Sequence, residues 1–450
     1  MTIALIVLLV VFAFSSSVYT IESQLDNADN NRVNPKFINK WLDEYFAVSG
    51  NRVPPRMFIE WIKLASAYNC SIRPTDYRAI FEDLKPFKMP GMSNEYIRAV
   101  SNVIDAYGKE VLPLTQHKMM ELSAKMPLHV GSALDLLKNE NLLNPEIDFS
   151  LILQYSDESM IMPSDDHSLE PYTGIDDVFE RNSAFTEAFE EYRDEHSLLS
   201  VPHSFNAIPA MFPVFSVGRI IGFKDIIMPT RRTGLGVLSK EQRQAANELS
   251  NWDVKENRAV FRGTSTGIDF REAKKKGYDI TVSPRFQLYE MAFMQREGQL
   301  NCSVPLDFAI TKYLQYNGDL GDFRELRDKY PERPAMSLID QFRFKYIVLV
   351  DGNGWAEKVA GVLLSGSLLF LSTIHEDWVT RQMVDGLHYI KIKPDLSDLI
   401  EKLEWAREND QQARQIAENG RLLAIRKLDT NHLQVYNALL IMEYQNLFTQ

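Results

Sequence analysis

The sequence is short of three things that would narrow its function at once: cysteine, basic charge and long apolar runs. Its 450 residues include two cysteines, with neither a C-x-x-C pair nor a Cys/His metal spacing, so no zinc module or thiol redox site is predicted. The net charge of −12 argues against a general nucleic-acid binder, which needs a basic face. A nucleotide site is still allowed, because a local cluster of cations suffices for it.

The single long apolar run lies at the N-terminus, from Ile3 to Phe14. It is short for a membrane span and predicts a signal peptide over residues 1–20, followed by a polar linker over 21–34. Because no Lys or Arg precedes the run, an uncleaved signal-anchor is the alternative. No second stretch reaches membrane length, so no stable span is expected after cleavage.

Both cysteines lie inside N-C-S sequons, at Asn69 and Asn301. In a secreted chain these asparagines are candidates for N-glycosylation. A Cys70–Cys302 disulfide and two free thiols both remain open.

The length predicts two domains with appendages. Residues 35–126 have apolar side chains at helical spacing, for example Ile38, Trp41 and Leu42, and we expect them to form a helical cap.

Strand and helix patterns alternate after residue 340. An apolar run from Tyr346 to Val350 ends at Asp351–Gly354, a predicted helix covers Trp355–Leu364, and further strands are predicted at Leu368–Leu371 and His388–Ile392. This order predicts an α/β fold with a parallel, helix-covered sheet. In such sheets the ligand lies beyond the carboxyl ends of the strands.

Two other predicted strands end in polar turns. Phe149–Leu153 is followed by Asp157 and Glu158, and Ala259–Phe261 leads into Arg262–Gly267. Glycines and hydroxyl residues after a strand can bind phosphate through backbone N–H groups, although such clusters are more often ordinary turns.

Four stretches carry a family resemblance: DGNGWAEKVAGVLLSGS, STIHEDW, LHYIKIKPDLSDLIEKLEWAREND and AENGRLLA. They resemble the capsule-associated, Rumi-like glycosyltransferases of family 90. Within that family, the motif sequences are most similar to those of the fungal capsule xylosyltransferase branch. The resemblance implies a GT-B fold of two Rossmann-like domains facing a cleft. The expected domains are an N-terminal acceptor domain at 127–235, a C-terminal UDP-sugar domain at 236–428 and a crossing helix at 429–450.

The activity implied by the resemblance is inverting transfer of xylose or glucose from a UDP-sugar. The acceptor would be a hydroxyl of a glycan or protein in the ER or Golgi lumen, or the protein would be secreted. The UDP-sugar is a donor substrate and no cofactor is expected; a need for Mn²⁺ stays open, and no metal ligands are predicted.

The resemblance also implies the site residues. Asp157 matches the catalytic base, and Arg271 competes with Arg285 for the donor diphosphate. Asp351 and Glu376 contact the donor or are structural. The remaining predicted donor-binding residues are Arg262, Gly263, Thr264, Ser265, Thr266, Gly267, Gly352, Gly354 and Lys358.

The sequence departs from the fungal pattern D-G-N-G-W-S-x-R-F at Lys358, which replaces the arginine. Lysine keeps the charge but lacks the planar fork that grips phosphate at two points. The alternative function is therefore a catalytically weakened UDP-sugar or glycan-binding protein.

Overall fold

The protein is a mixed α/β molecule with two main sheets, as the sequence predicts for its fold class. The structure, a computed structural model, describes residues 35–50, 52–87, 92–106, 112–115, 137, 139–154, 161–166, 168, 170, 172, 175–192, 207–230, 233–267, 283–314 and 327–449. The predicted signal peptide and linker, together with Asp157 and Arg271, lie outside these residues.

The N-terminal part is helical where the apolar spacing predicts helices. It contains α1 Pro35–Ser49, α2 Phe58–Ala67, α3 Arg78–Leu84 and α4 Asn94–Ala106. Trp41, Phe58 and Trp61 are buried, and the rings of Trp41 and Phe58 stack with their centroids 5.0 Å apart. Large aromatic side chains thus fasten these helices to the rest of the core.

The first sheet joins Leu112–Thr115, Ser150–Leu153, Val214–Ser216 and Ile226–Ile227 in that order, which are strands β1, β2, β3 and β5. Strand β1 lies within residues 35–126, for which helices were predicted, so that prediction is wrong at Leu112–Thr115. β1 pairs antiparallel with β2. Strand β1 contains Pro113, which is tolerated because the strand lies at the sheet edge. The strands and helices of this part are β1 Leu112–Thr115, β2 Ser150–Leu153, α5 Ile175–Arg181, α6 Ser183–Phe189, β3 Val214–Ser216, β4 Gly218–Ile220 and β5 Ile226–Ile227.

The second sheet has five parallel strands in the order Ile390–Lys391, Leu368–Ser372, Phe344–Val350, Glu256–Thr264 and Leu306–Lys312, which are β11, β9, β8, β6 and β7. Its parallel arrangement confirms the prediction made from the strand and helix patterns. The elements here are α7 Lys240–Glu248, β6 Glu256–Thr264, α8 Pro284–Arg296, β7 Leu306–Lys312, α9 Leu338–Gln341, β8 Phe344–Val350, α10 Val359–Leu364, β9 Leu368–Ser372, β10 His375–Asp377 and β11 Ile390–Lys391.

Burial on both faces explains the apolar runs of the second sheet. In β8, Tyr346, Val348 and Val350 pack into one core, whereas Ile347 and Leu349 pack into the other. Side chains alternate between the faces of a strand, so a strand covered by helices on both sides is apolar throughout. Because β6, β8 and β9 are parallel, their carboxyl ends lie at the same end of the sheet. This end of the sheet is called the carboxyl edge below.

A two-stranded ladder joins the two parts of the chain. β10, which follows β9 of the second sheet, pairs antiparallel with β4, which follows β3 of the first. A Cβ on Gly218 would lie 3.1 Å from Cε3 of Trp355, so this indole of the turn after β8 packs directly against β4.

The chain ends in three helices, α11 Leu399–Glu408, α12 Asp410–Lys427 and α13 Thr430–Gln445. The last begins at Asp429, whose side chain accepts from the His432 amide. It packs against elements that precede the second sheet: the Tyr444 hydroxyl donates to the Ser150 carbonyl at 3.0 Å, and the Trp61 indole donates to the Val435 carbonyl at 3.0 Å.

Cys70 and Cys302 are free thiols in the structure. Within the described ranges, we find no helix that combines the length and the apolar character required to cross a membrane.

Candidate functional site

Two loops meet at the carboxyl edge, one after β6 and one after β8. The Gly267 amide donates to Oδ1 of Asn353 at 3.2 Å. Gly267 has φ +103°, and a Cβ there would lie 3.0 Å from the Gly352 carbonyl oxygen. Glycine fits this position because it accepts a positive φ and leaves room for the neighbouring backbone. The predicted loop and the predicted turn therefore form one continuous surface.

Arg285, in the first turn of α8, holds the two loops together. Its Nε donates to the Asp351 carbonyl at 2.9 Å, and its Nη1 donates to the Thr264 carbonyl and the Thr266 hydroxyl, each at 2.9 Å. Burial lowers the pKa of this guanidinium to about 10, against a smaller opposing effect of the Asp351 charge. Removal of a cation from water disfavours its charged form, and an anion close by would restore it.

Gly352 lies against the same guanidinium and donates its amide to the Gly354 carbonyl at 3.0 Å, which closes the turn. A Cβ on Gly352 would lie 2.6 Å from Nη2 of Arg285. Both glycines of this turn were predicted to belong to the site, and the structure places the backbone of Gly352 beside Arg285.

Lys358 is the second cation at this edge. Its Nζ donates to the Arg262 carbonyl at 3.1 Å. Burial lowers its pKa, and the positive charge of Arg285 lowers it further. Across the described part of the chain, no ion pair joins Lys358 or Arg285 to a carboxylate. Two cations are thus held close together with neutral oxygen atoms as their hydrogen-bond partners.

Arg262 is directed away from this pair. Its Nη2 contacts Oδ1 of Asp307 on β7 at 2.6 Å, and its Nη1 donates to the Asp307 carbonyl at 2.5 Å. Ser265 is also engaged with the chain itself, since its hydroxyl accepts from the Leu314 amide at 2.9 Å. Their predicted ligand contacts stay predictions, and their observed contacts fix the β6 loop to β7.

Asp351 organises the loop after β9. Its two carboxylate oxygens accept from the Thr373 hydroxyl at 2.7 Å and from the Ile374 amide at 2.8 Å. Nδ1 of His375 lies 3.1 Å from Oδ2, without the geometry of a hydrogen bond. Of the two roles considered for Asp351, these contacts are those of a residue that shapes the turn.

Glu376 lies on β10, next to this loop, and its side chain is 36% exposed. Its Oε2 is 3.2 Å from Nε of Arg219 and 3.7 Å from Nη2 of Arg381. Sequence reasoning did not select these arginines, because Arg219 lies outside the four quoted stretches and Arg381 lies three residues after STIHEDW.

Sequence reasoning also missed Asn353 and Thr373, which are hydrogen-bonded to the two sides of the edge. No group of three or more His, Cys, Asp or Glu side chains in the described residues could hold a metal ion. The site as described therefore combines arginine, lysine, hydroxyl groups and backbone amides with the carboxylates of Asp351 and Glu376.

Comparison with known proteins gives a family match over the part of the chain that contains this edge. The sequence model of glycosyl transferase family 90 matches residues 200–450. Protein O-glucosyltransferase 3 of Homo sapiens is 28% identical over 249 residues, which cover 53% of this chain and 43% of that protein. Protein O-glucosyltransferase 2 of Danio rerio is 27% identical over 243 residues, with 52% and 43% covered.

A viral relative is similar over a comparable stretch. The uncharacterized protein 035R of Invertebrate iridescent virus 3 is 26% identical over 228 residues, which cover 46% of this chain and 19% of that protein. The chain matches less than half of the length of each of these three relatives.

Proposed function

The chain belongs to glycosyl transferase family 90, and from that premise we propose that it transfers xylose or glucose from a UDP-sugar to a hydroxyl of a protein or glycan, with inversion. The proposed architecture is GT-B. The first sheet lies in the acceptor domain, the second sheet lies in the donor domain, the N-terminal helices form a cap and α13 is the crossing helix.

The observation that carries the proposal is the pair of partly buried cations, Arg285 and Lys358, at the carboxyl edge. Arg285 donates hydrogen bonds to the two loops through Nε and Nη1, and among the described residues no hydrogen bond uses its Nη2. Lys358 makes one hydrogen bond to a described residue, and its ammonium has three donors. A diphosphate placed here would meet unused donors and two positive charges that form no ion pair among the described residues.

Each chemical requirement of the transfer has a proposed residue. The acceptor hydroxyl attacks the anomeric carbon, its proton passes to the carboxylate of Asp157, and the bond from that carbon to the diphosphate oxygen breaks as UDP leaves. Arg285 and Lys358 stabilise the charge that develops on the leaving diphosphate. Asp157 lies outside the described residues, so its role rests on the resemblance.

The relatives support a protein acceptor and glucose as the sugar, because two of them are named protein O-glucosyltransferases. Xylose remains a candidate through the fungal phrasing of the central motif. We propose the lumen of the secretory pathway as the location, after removal of the signal peptide.

A second candidate function is UDP-sugar or glycan binding with weakened catalysis. It is favoured by Lys358, which offers the diphosphate a point charge where the fungal branch has a fork. Both candidates predict UDP binding, and turnover separates them. A UDP-release screen over several UDP-sugars, with and without acceptor and with and without Mn²⁺, measures that turnover.

Calorimetric titration with UDP tests the cation pair directly. Charged hydrogen bonds contribute about 1.5–3 kcal/mol, so Lys358→Ala should weaken UDP binding by about tenfold or more. Lys358→Arg should retain or tighten binding. Lys63→Ala, at an exposed lysine on α2, is the matched control and should bind like the wild type. Equal affinities for all four proteins would remove Lys358 from the site. A Lys358→Arg protein that binds tighter yet stays inactive would favour the binding function.

A further inference from the structure

Four charged side chains meet where the N-terminal helices, the first sheet and the second sheet come together. They are Asp83 on α3, Arg219 on β4, Glu376 on β10 and Arg381 just after it, and they are called the junction cluster below. Two arginines and two carboxylates give the cluster no net charge. Such neutrality lets ionised groups remain in a largely buried position.

Asp83 is the buried centre of the junction cluster, with a side chain 2% exposed. Its two oxygens accept from Nη1 and Nη2 of Arg381, each at 2.8 Å, which is the two-point geometry of a strong arginine–carboxylate pair. Arg219 adds a contact at 3.0 Å, and the Ile227 amide donates to Oδ2 at 3.1 Å. One carboxylate of the helical segment therefore holds both arginines.

Arg219 connects this centre to Glu376. Its Nε donates to Oε2 of Glu376 at 3.2 Å, and its Nη1 donates to the Asp225 carbonyl at 2.6 Å. Arg219 and Glu376 lie directly opposite each other in the β4–β10 ladder. The guanidinium thus contacts three separate segments, and its fork geometry is what permits this.

The Glu376 side chain is held by the two arginines through one of its oxygens, Oε2, and β10 places it close to the carboxyl edge. All of its contacts among the described residues use Oε2, and its side chain is partly exposed. β10 begins directly after Thr373 and Ile374, whose hydrogen bonds go to Asp351 of the β8 turn. Oε1 is therefore available to accept a hydrogen bond from a hydroxyl of a ligand bound at this edge.

We infer that Asp83 and Arg219 are positioning residues for the donor sugar, acting through Glu376, whose Oε1 binds a hydroxyl of the UDP-sugar. The inference rests on the proposed function. It makes the N-terminal helices part of the working site, although Asp83 lies outside residues 200–450, the range matched by the family model.

The test compares UDP with the intact UDP-sugar, since only the sugar part depends on Glu376. For Arg219→Met and Glu376→Gln we expect UDP affinity within about twofold of the wild type. Because a charged hydrogen bond is lost, kcat/KM for the UDP-sugar should fall by about tenfold or more. Arg219→Lys keeps the charge and should retain more activity than Arg219→Met. Arg56→Met, at an exposed ion pair with Glu146, is the control and should match the wild type.

A double-mutant cycle separates positioning from a general loss of stability. If Arg219 acts through Glu376, the double variant should lose no more activity than the worse single variant, within about threefold. Asp83→Asn keeps the shape of the side chain and should lower kcat/KM in the same way. An active wild type whose Arg219→Met form keeps its kcat/KM, with only its Tm lowered, would overturn the positioning role alone. A wild type that neither binds UDP nor releases it from any UDP-sugar would overturn the proposed function and the positioning role together.

Discussion

Gly352 is the glycine of the carboxyl edge that leaves the least room for a side chain. A Cβ there would lie 2.6 Å from Nη2 of Arg285 and 3.3 Å from the Thr266 hydroxyl. The guanidinium cannot easily move, because four hydrogen bonds to the loops fix it. We expect Gly352→Ala to weaken UDP binding by about tenfold, the loss of one charged hydrogen bond. Gly298→Ala, where no atom lies within 4 Å of the added Cβ, is the control for UDP affinity, although its φ of +70° adds backbone strain. Calorimetry showing equal affinities for the wild type and Gly352→Ala would place the diphosphate elsewhere.

A buried carboxyl group on α13, that of Glu443, predicts a pH effect on stability. Burial raises the pKa of Glu443 to about 8 from an ordinary value of 4.5, although Arg52 and the Tyr45 hydroxyl act in the opposite direction. The folded state therefore binds more protons than the unfolded state between these values. The stability from this group is full below the ordinary pKa and is lost as the pH rises through about 8.

Glu443→Gln should remove this dependence while it keeps an oxygen for the Tyr45 hydroxyl, which donates to Oε2 at 3.0 Å. Urea unfolding of both proteins from about pH 5 to about pH 8 measures it. The wild type should lose stability relative to the variant as the pH rises. Parallel curves would show that the carboxyl group titrates normally in the fold.

At the residue scale, the motifs and their spacing predicted the loops that form the carboxyl edge, but they did not predict every side chain there. Gly267, Arg285, Gly352 and Lys358 were selected from loop chemistry and resemblance, and the structure brings them together. The partner of Arg262 was not predictable, because Asp307 is 45 residues away on a strand whose pairing no local pattern reveals.

At the scale of elements, the predictable strands are the apolar ones. Tyr346–Val350 and Leu368–Leu371 fall inside β8 and β9, since burial on both faces leaves a continuous apolar run. β7 was missed because its sequence, LDFAITK, mixes charged and apolar residues. The predicted helix from Trp355 begins at Val359, because the preceding residues continue the turn after β8.

The β4–β10 ladder could not be predicted either, since two strands of three residues each pair across more than 150 positions. Its own weak point is Gly218. A Cβ there would lie 2.9 Å from the Glu376 carbonyl oxygen and 3.1 Å from the Trp355 ring. Backbone on one side and a buried ring on the other leave little freedom to adjust. Gly218→Ala should therefore lower the free energy of unfolding by about 1–3 kcal/mol, as overpacking does.

Chemical denaturation of Gly218→Ala measures this cost. Gly386→Ala, where no atom lies within 4 Å of the added Cβ, is the comparison for the loss of a glycine, although its φ of +70° adds strain of its own. A Gly218→Ala protein as stable as the wild type would mean that the ladder separates or shifts at little cost, and the junction cluster would then be a poor positioning device.

At the scale of the whole molecule, two surface asparagines are accessible for N-glycosylation, the modification expected of a protein in the secretory pathway. Asn69 and Asn301 are both exposed, each is followed by a cysteine and a serine, and the adjacent thiols are free. Asn69 has a φ of 56°, a conformation that asparagine tolerates better than most residues. A transferase has to reach the asparagine side chain, and neither position is closed by the fold.

We therefore expect protein expressed with its own N-terminus in a eukaryotic secretory host to carry N-glycans at both positions. Peptide-N-glycosidase treatment should lower the intact mass by two glycans and convert Asn69 and Asn301 to aspartate. Ser71→Ala and Ser303→Ala should each remove one glycan, because the sequon requires the hydroxyl residue. Ser71 and Ser303 also bond Asp76 and Glu404, so Ser→Thr variants, which retain both hydroxyl and sequon, are the matched controls. A wild-type product without glycans at either asparagine would contradict the proposed lumenal location, whereas a single occupied site would keep the location and identify the other sequon as unused.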